Sequence, residues 1–443
     1  MYGVMSDSNC DFDLIVVGGG LAGLFSAALA AQQGLSICVL EKGETFGGRA
    51  RTTEEAESVL FNLGPHALYT AGHARQLLDK LDIPCSGALP NAGHALTYRN
   101  GREFSLPRSL MSIAFSRLLS VTDRWRLISF FRQLNEISIE PLRELTTEQW
   151  VHSKYGRGAL ADLLFALFRL STFADTRCLS AAAAIQQLRL ALAPGVIYLD
   201  KGWQQLVHGL RNYAVNLGVQ FASQTKVNSV KHTGELIRVE RADGTTLTAN
   251  AVILAVGPSD VLQIMDLPAD SSLSQRIKML QPVFAASLDV ALRDLPRPQH
   301  RFALGLDNSM YFSVHSAAAK LAPESIAVVH VMKYLAQGTH ESPSSITTQL
   351  EDFLEQVQPG WKSRVVTKRV LPRLVVTNAS PDATLDGTLG RPAVDALDIP
   401  GIYLAGDWVG PDGQLADAAA ASAESAVQSL LKYQKSLSLV SQQ

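Results

Sequence analysis

The first uninterrupted run of apolar positions is Leu14-Ile15-Val16-Val17, mostly β-branched, and it predicts a short parallel strand buried on both faces. The run stops at Gly18-Gly19-Gly20. From Leu21 to Gln33 the residues are mainly Ala and Leu, slim helix formers, and Gly34 supplies a stop. A second apolar run, Ser36 to Leu40, predicts the next strand, and Ala251 to Leu254 repeats the buried-strand pattern near mid-chain. Patterning differs over 284–292, 310–315 and 326–334, where the runs suit antiparallel strands with unlike faces. An Ala-rich stretch from Leu415 to about Leu431 predicts a closing helix. These elements predict an α/β fold: a parallel sheet with helices on both faces, interleaved with an α+β portion that carries an antiparallel or mixed sheet and a helical cap.

Between the first strand and first helix, Gly18-Gly19-Gly20-Leu21-Ala22-Gly23 satisfies G-x-G-x-x-G. Gly18 permits the tight turn, Gly20 lets backbone approach a pyrophosphate, and Gly23 lets helix and strand lie close. Leu21 and Ala22 open the helix, whose unpaired N–H groups and positive end suit an anion. Glu41 follows the second strand, about 20 positions beyond the glycines, where an acid accepts hydrogen bonds from adenosine ribose hydroxyls. Strand, turn, helix, strand and acid in this order make a dinucleotide-binding unit. Nicotinamide and flavin nucleotides both remain open at this point.

Length and charge narrow the picture further. A chain of 443 residues exceeds one ordinary core, so two domains are expected. Lys and Arg (39) nearly balance Asp and Glu (41), which speaks against a nucleic-acid partner. Four scattered cysteines, Cys10, Cys38, Cys85 and Cys178, show no metal-ligand spacing, so no metal is expected and the thiols read as free in a reducing compartment. The first apolar run lacks a basic flank and breaks at glycines, unlike a signal peptide, and no apolar stretch reaches about 20 residues. The expectation is a cytoplasmic protein.

The segment Glu41-Lys42-Gly43-Glu44-Thr45-Phe46-Gly47-Gly48-Arg49-Ala50-Arg51-Thr52 resembles the E-(x)-GGR-x-x-T signature of the FAD-dependent amine oxidase, protoporphyrinogen oxidase and phytoene desaturase superfamily. Further stretches extend the resemblance over nearly the whole chain. Leu63-Gly64-Pro65-His66 is similar to the stretch lying at the flavin end of the cofactor, and Lys226-Val227 to the segment whose valine backbone contacts adenine. Ala255-Val256-Gly257-Pro258 resembles the turn that closes over the nucleotide, and Gly401 to Trp408 the GIYxAGD element, with Gly406 and Asp407 at the ribityl and pyrophosphate region. Leu415-Ala416 opens the helix that, in the family, points its positive end at the flavin N1–C2 carbonyl.

The resemblance implies FAD, bound non-covalently because no cysteine lies in the last quarter of the chain. It places the pyrophosphate on Gly18, Gly20, Leu21, Ala22, Gly23, Gly48 and Arg49, the adenosine on Glu41, Lys42 and Val227, and other contacts on Gly64, Pro65, His66, Ala255, Gly257, Gly406, Asp407, Leu415 and Ala416. It also implies interleaving: 11–69, 194–266 and 392–435 bind the nucleotide, 70–193 and 267–391 meet the substrate, and 1–10 and 436–443 are tails.

The inserted segments decide the substrate. Strands over 284–292, 310–315 and 326–334 could present one face to a cavity above the flavin, making Tyr311, His315, His330 and Tyr334 candidates for its lining, with His66 near the flavin. The segment from Phe104 to Arg132 mixes apolar residues with arginines. A helical cap packing its apolar face inward is favoured there over a docking patch for a membrane or lipophilic substrate. No aromatic cage with lysine is evident, which leans toward the phytoene desaturase-like branch. The expected reaction is hydride removal from a small-to-medium, mainly apolar organic molecule by an FAD-dependent dehydrogenase, desaturase or oxidase. Without a second dinucleotide motif, reoxidation falls to oxygen, a quinone or another acceptor. A flavin-dependent isomerase or mutase, an amine oxidase, and a flavin-free binder resembling Rab GDP-dissociation inhibitors stand as alternatives; oligomeric state is left open.

Overall fold

A computed structural model describes residues 10–440, with side chains through 436. The apolar run 14–17 forms the last four residues of strand Phe12–Val17, paired in parallel with Ile37–Leu40 on one side and Thr246–Leu254 on the other. Gln220–Ala222 extends one edge in parallel, and Ile402–Leu404 pairs in parallel with the end of 246–254. The start of that long strand instead pairs antiparallel with Ile237–Arg241, which pairs with Val227–His232. Asp243 and Gly244 fall in the intervening turn, where Gly244 takes φ +82°.

Helices cover both faces of this sheet, as the double-sided burial of its strands requires. On one face pack Leu21–Ala31, Gln204–Asn216 and the terminal helix Ala416–Val440. On the other pack Pro258–Ile264 and Ser272–Met279. The helix His73–Lys80 also joins the first of these cores, and Ala379 and Leu385 join the second, although all three lie in segments expected on the substrate side. The terminal helix runs past the expected end near Leu431 to Val440, because neither Gly nor Pro follows Gly413 to stop it. Residues 436–440, expected to lie in a tail, therefore continue the helix. Most of the expected N-terminal tail, 1–9, and residues 441–443 lie outside the described residues.

A second seven-stranded sheet runs, in spatial order, Val365–Thr377, Val283–Leu292, Ala327–Leu335, Met310–Val314, Phe302–Gly305, Ala95–Arg99 and Arg102–Ser105. It is mixed: the 302–305 and 95–99 strands are parallel and the other pairs antiparallel. One face is apolar and carries Ala286, Leu288, Val290, Phe312, Val329 and Val331 against helix Pro343–Val357. The opposite face meets the helical cap, in which helices Val121–Gln133, Thr147–Tyr155, Ala159–Thr172 and Ala181–Leu192 share a core with Ala285, Leu304, Tyr311, Met332 and Tyr334. His315 departs from expectation. Val314 is the last paired residue of its strand, and the amides of Ala318 and Ala319 donate to the His315 carbonyl, so His315 opens a 3₁₀ turn.

Candidate cofactor and substrate site

At the carboxyl ends of the parallel strands the chain turns at Gly18, whose φ of +107° favours glycine and whose added Cβ would lie 2.4 Å from the Ala255 carbonyl oxygen. Gly23 is forced by contact as well, since a Cβ there would sit 1.9 Å from the Gly18 oxygen. Gly20 differs from both. A Cβ on Gly20 meets no atom within 4 Å. The helix beginning at Leu21 has no side-chain cap and no acid in its first turn, which leaves the amides of Leu21, Ala22 and Gly23 and the positive helix end for an anion.

The arginine-containing loop lies directly on this turn. The Gly47 amide donates to the Gly19 carbonyl at 2.7 Å, Gly20 and Gly47 form a parallel bridge, and a Cβ on Gly48 would lie 3.3 Å from the Gly20 Cα. Glu41 braces both sides: Oε2 accepts from the Gly19 amide and Oε1 from the Gly43 amide, each at 2.7 Å. Amides of Gln224 and Thr225 donate to the carbonyls of Gly43 and Glu41, which brings the buried Val227 to the same end of the sheet. Lys42 turns outward and pairs with Asp260 at 2.9 Å.

Arg49 reaches across the molecule. Its Nη1 donates to Asp407 Oδ2 at 2.6 Å and to the Val376 carbonyl at 2.9 Å. The Asn378 amide and side chain donate to the same carboxylate, and Gly257 faces Asn378. Burial alone would raise Asp407, but the Arg49 charge and these donors outweigh it and hold the carboxyl at about 2. Ala255 closes the Gly18 turn, with its amide donating to the Val17 carbonyl, and Gly406 takes φ +155° beside Trp408. At the start of the terminal helix Leu415 adopts φ +57°, uncommon for a residue with a side chain, and Ala416 begins the helix. Asp417 is buried in the first turn; Oδ1 accepts from the Ala74 amide, Oδ2 has no hydrogen-bond partner, and burial raises the carboxyl to about 6.

The motif at residues 64–66 joins the two sheets. Gly64 has φ +78° and lies against Ser287 of the second sheet. Pro65 and His66 are half-buried; His66 Nδ1 lies 3.0 Å from the Gly64 carbonyl, and its ring meets Trp203 at 4.9 Å. From Ser287 a polar row crosses the buried face. Arg369, Asp289, His330 and Ser313 are successive cross-strand partners. Asp289 accepts from His330 Nδ1 at 2.7 Å, from Ser287 Oγ at 2.8 Å and from Arg369 Nη2 at 2.6 Å. The rings of His330 and His315 are 4.5 Å apart, Tyr198 stacks on His315 at 3.8 Å, and the Tyr311 hydroxyl bridges His315 Nε2 and the Tyr198 hydroxyl at 3.2 Å each.

Burial pushes His66 and His315 below the ordinary histidine range, with His330 nearby adding to both, and pushes the Tyr311 and Tyr334 phenols up. The two imidazoles are therefore neutral and the two phenols protonated at neutral pH. His330 Nε2 and the Tyr334 hydroxyl are buried without partners. The structure thus joins Tyr311, His315 and His330, places Tyr334 on the same face at its apolar end, and brings His66 to the seam. Sequence reasoning missed Asp289, Arg369, Tyr198, Trp203 and Asn378. Only Asp289 carried a signal, as an acid inside the apolar run Phe284–Leu292.

These residues fit an extended dinucleotide. Gly20 is open where a diphosphate needs room, and donors surround it. Fold and site define a two-sheet flavoprotein. The chain belongs to the family described as flavin containing amine oxidoreductase, whose profile matches residues 21–431, and is an FAD-dependent oxidoreductase. (S)-6-hydroxynicotine oxidase from Paenarthrobacter nicotinovorans is 24% identical over 58% of this chain, and the match spans 63% of that protein, less than two thirds. 4,4'-Diapolycopen-4-al dehydrogenase from Metabacillus indicus is 22% identical over 90% of this chain and 93% of its own length. An oxidoreductase from Methanosarcina mazei superposes with a TM-score of 0.75 over 94% of this chain and 99% of its own, at 15% identity, and shares the fold. Among the described residues no helix is long and apolar enough to cross a membrane, and no group of acids, histidines and cysteines could hold a metal.

Proposed function

We propose that this chain is a dehydrogenase or desaturase that removes hydrogen from a small-to-medium, mainly apolar organic molecule, with oxygen, a quinone or another acceptor closing the cycle. The observation that carries this reading is the buried face beside His66, where neutral hydrogen-bonding groups lie in an apolar setting and the carboxylate of Asp289 is already matched by Arg369 and His330. Such a face favours an uncharged substrate over an ammonium ion. Bound FAD supplies the electron sink, accepting a hydride equivalent from a substrate C–H.

The protein's residues bind, orient and exclude water. Gly18, Gly20, Leu21, Ala22, Gly23, Gly48 and Arg49 would hold the pyrophosphate; Glu41, Lys42 and Val227 the adenosine; and Ala255, Gly257, Gly406 and Asp407 the remainder of the chain. Gly64, Pro65, His66, Leu415 and Ala416 would meet the flavin end. Segments 11–69, 194–266 and 392–435 serve the nucleotide, and 70–193 and 267–391 mainly serve the substrate. Tyr311 and His315 would orient the substrate's polar atom, and the neutral His66 imidazole could take a proton released beside the reacting carbon. An amine substrate is the second reading, favoured by the hydroxynicotine oxidase likeness.

Anaerobic mixing with a panel that includes diapolycopenal and 6-hydroxynicotine, followed by acceptor screening, tests the substrate. Bleaching of the flavin absorbance by apolar members is expected; bleaching only by amines would reverse the order of the two readings. Gly20→Val tests the cofactor grip. It should abolish flavin retention while leaving the fold intact, because the added side chain enters open space rather than protein. A yellow, FAD-replete variant would remove Gly20 from the site.

A further inference from the structure

The helical cap has two apolar faces. Inward, Ile113, Leu118, Leu119, Leu127 and Phe130 complete the core shared with Tyr311 and Tyr334. Outward, Leu110, Met111, Phe115, Val121 and Trp125 stand exposed, Phe115 by 75% and Trp125 by 68%. They are five of the thirteen large apolar residues exposed on the described chain, gathered within sixteen positions. Val121 and Trp125 are one turn apart on the helix Val121–Gln133, while Leu110 and Met111 open the short helix Leu110–Ala114 and Phe115 caps it.

The two helices form one fixed surface. The Arg124 guanidinium donates to the carbonyls of Leu119, Ala114 and Ser116, locking the loop between them. Charge gives the surface its direction. Residues 108–132 contain five arginines and one acid, Asp123, in a chain whose net charge is -2. Arg117 and Arg132 are exposed and make no ion pair among the described residues, and Arg126 pairs only loosely with Asp123, at 3.8 Å.

We infer that this outer face docks onto an anionic lipid bilayer. Aromatic and aliphatic side chains would enter the headgroup boundary, and the arginines would meet lipid phosphates. A second copy is disfavoured as the occupant, because two-fold pairing would set this basic patch against itself. Docking by this face requires no cofactor. One consequence rests on the proposed function: the cap would stand between the bilayer and the substrate face, so a lipophilic substrate could pass to it without crossing water.

Trp125 is a built-in reporter, since Trp150, Trp203, Trp361 and Trp408 are all buried. Holoprotein is mixed with vesicles of phosphatidylcholine alone or of equimolar phosphatidylcholine and phosphatidylglycerol, and tryptophan emission and flotation are followed. Expected are a blue shift and binding about tenfold or more tighter to the anionic vesicles, weakened by salt. Met111→Ser/Phe115→Ser and Arg117→Gln/Arg132→Gln should each cut binding by about tenfold, with flavin content and turnover of a soluble substrate unchanged. No shift with anionic vesicles, equal binding to neutral ones, undiminished binding by both double variants, or a concentration-dependent shift without vesicles would overturn the proposal. The vesicle assay reads out even if the substrate assignment fails.

Discussion

In the first sheet, Phe12–Val17 and the end of Thr246–Leu254 bury apolar side chains on both faces and leave polar work to backbone amides at the strand ends. In the second, Val283–Leu292 and its neighbours bury one apolar face and carry charge across the middle of the other. The contrast teaches where each kind of specificity is stored. On the proposed reading, phosphate recognition would rest mainly on chain path and missing side chains around Gly18–Gly23, with Arg49 alone secured from a distant part of the chain by Asp407. The proposed substrate face rests on side chains from four strands whose charges must cancel together. A buried row of this kind is costly unless complete.

Breaking the row should therefore have the largest effect. Asp289→Ala takes the acceptor from His330 Nδ1 and the buried counter-charge from Arg369, which keeps its bonds to Asn62 and Thr53, and should cost about 3–5 kcal/mol in chemical denaturation. A loss below about 1 kcal/mol would mean the row is not coupled. The acid at the head of the terminal helix offers a slightly smaller, pH-dependent contrast. Asp417 is raised to about 6, so the folded protein keeps a proton that the unfolded chain releases above 3.8. Its contribution to stability is complete below 3.8 and declines through the folded value, by about 3 kcal/mol at most. Denaturation midpoints across that window should fall in the wild type relative to Asp417→Asn, and parallel curves would contradict the assignment. Smallest is Glu41→Ala, which frees two amides of the nucleotide turn and should weaken FAD by about 1–3 kcal/mol in titrations of apoprotein. Unchanged affinity would leave Glu41 a brace of the loop and nothing more.

The same contrast explains what could be read in advance. The strand at 12–17, the glycine turn, the helix from Leu21 and the loop through Arg49 are consecutive in the chain, and each was legible because it follows from nearby spacing. The three strands with unlike faces were also legible, and their faces placed Tyr311, His330 and Tyr334 together. The completion of the row was not. Arg369 meets Asp289 only through pairing of strands eighty residues apart, and Tyr198 reaches His315 from another sheet. The pattern of the run through Val314 predicts that His315 continues the strand, whereas pairing ends one residue earlier. The outer face of the cap was legible as composition, but only packing separates inward Leu127 from outward Trp125.

One feature of the first sheet bears on biosynthesis. Arg49 is held by Asp407, and Ile402–Leu404 completes the sheet behind it, so the loop finds its partner 358 positions further along the chain. A nascent chain that has not yet exposed residue 407 can form the glycine turn but cannot secure the arginine over it. On the proposed reading, flavin capture then awaits the emergence of that segment, and an arrested chain ending before residue 402 would emerge colourless.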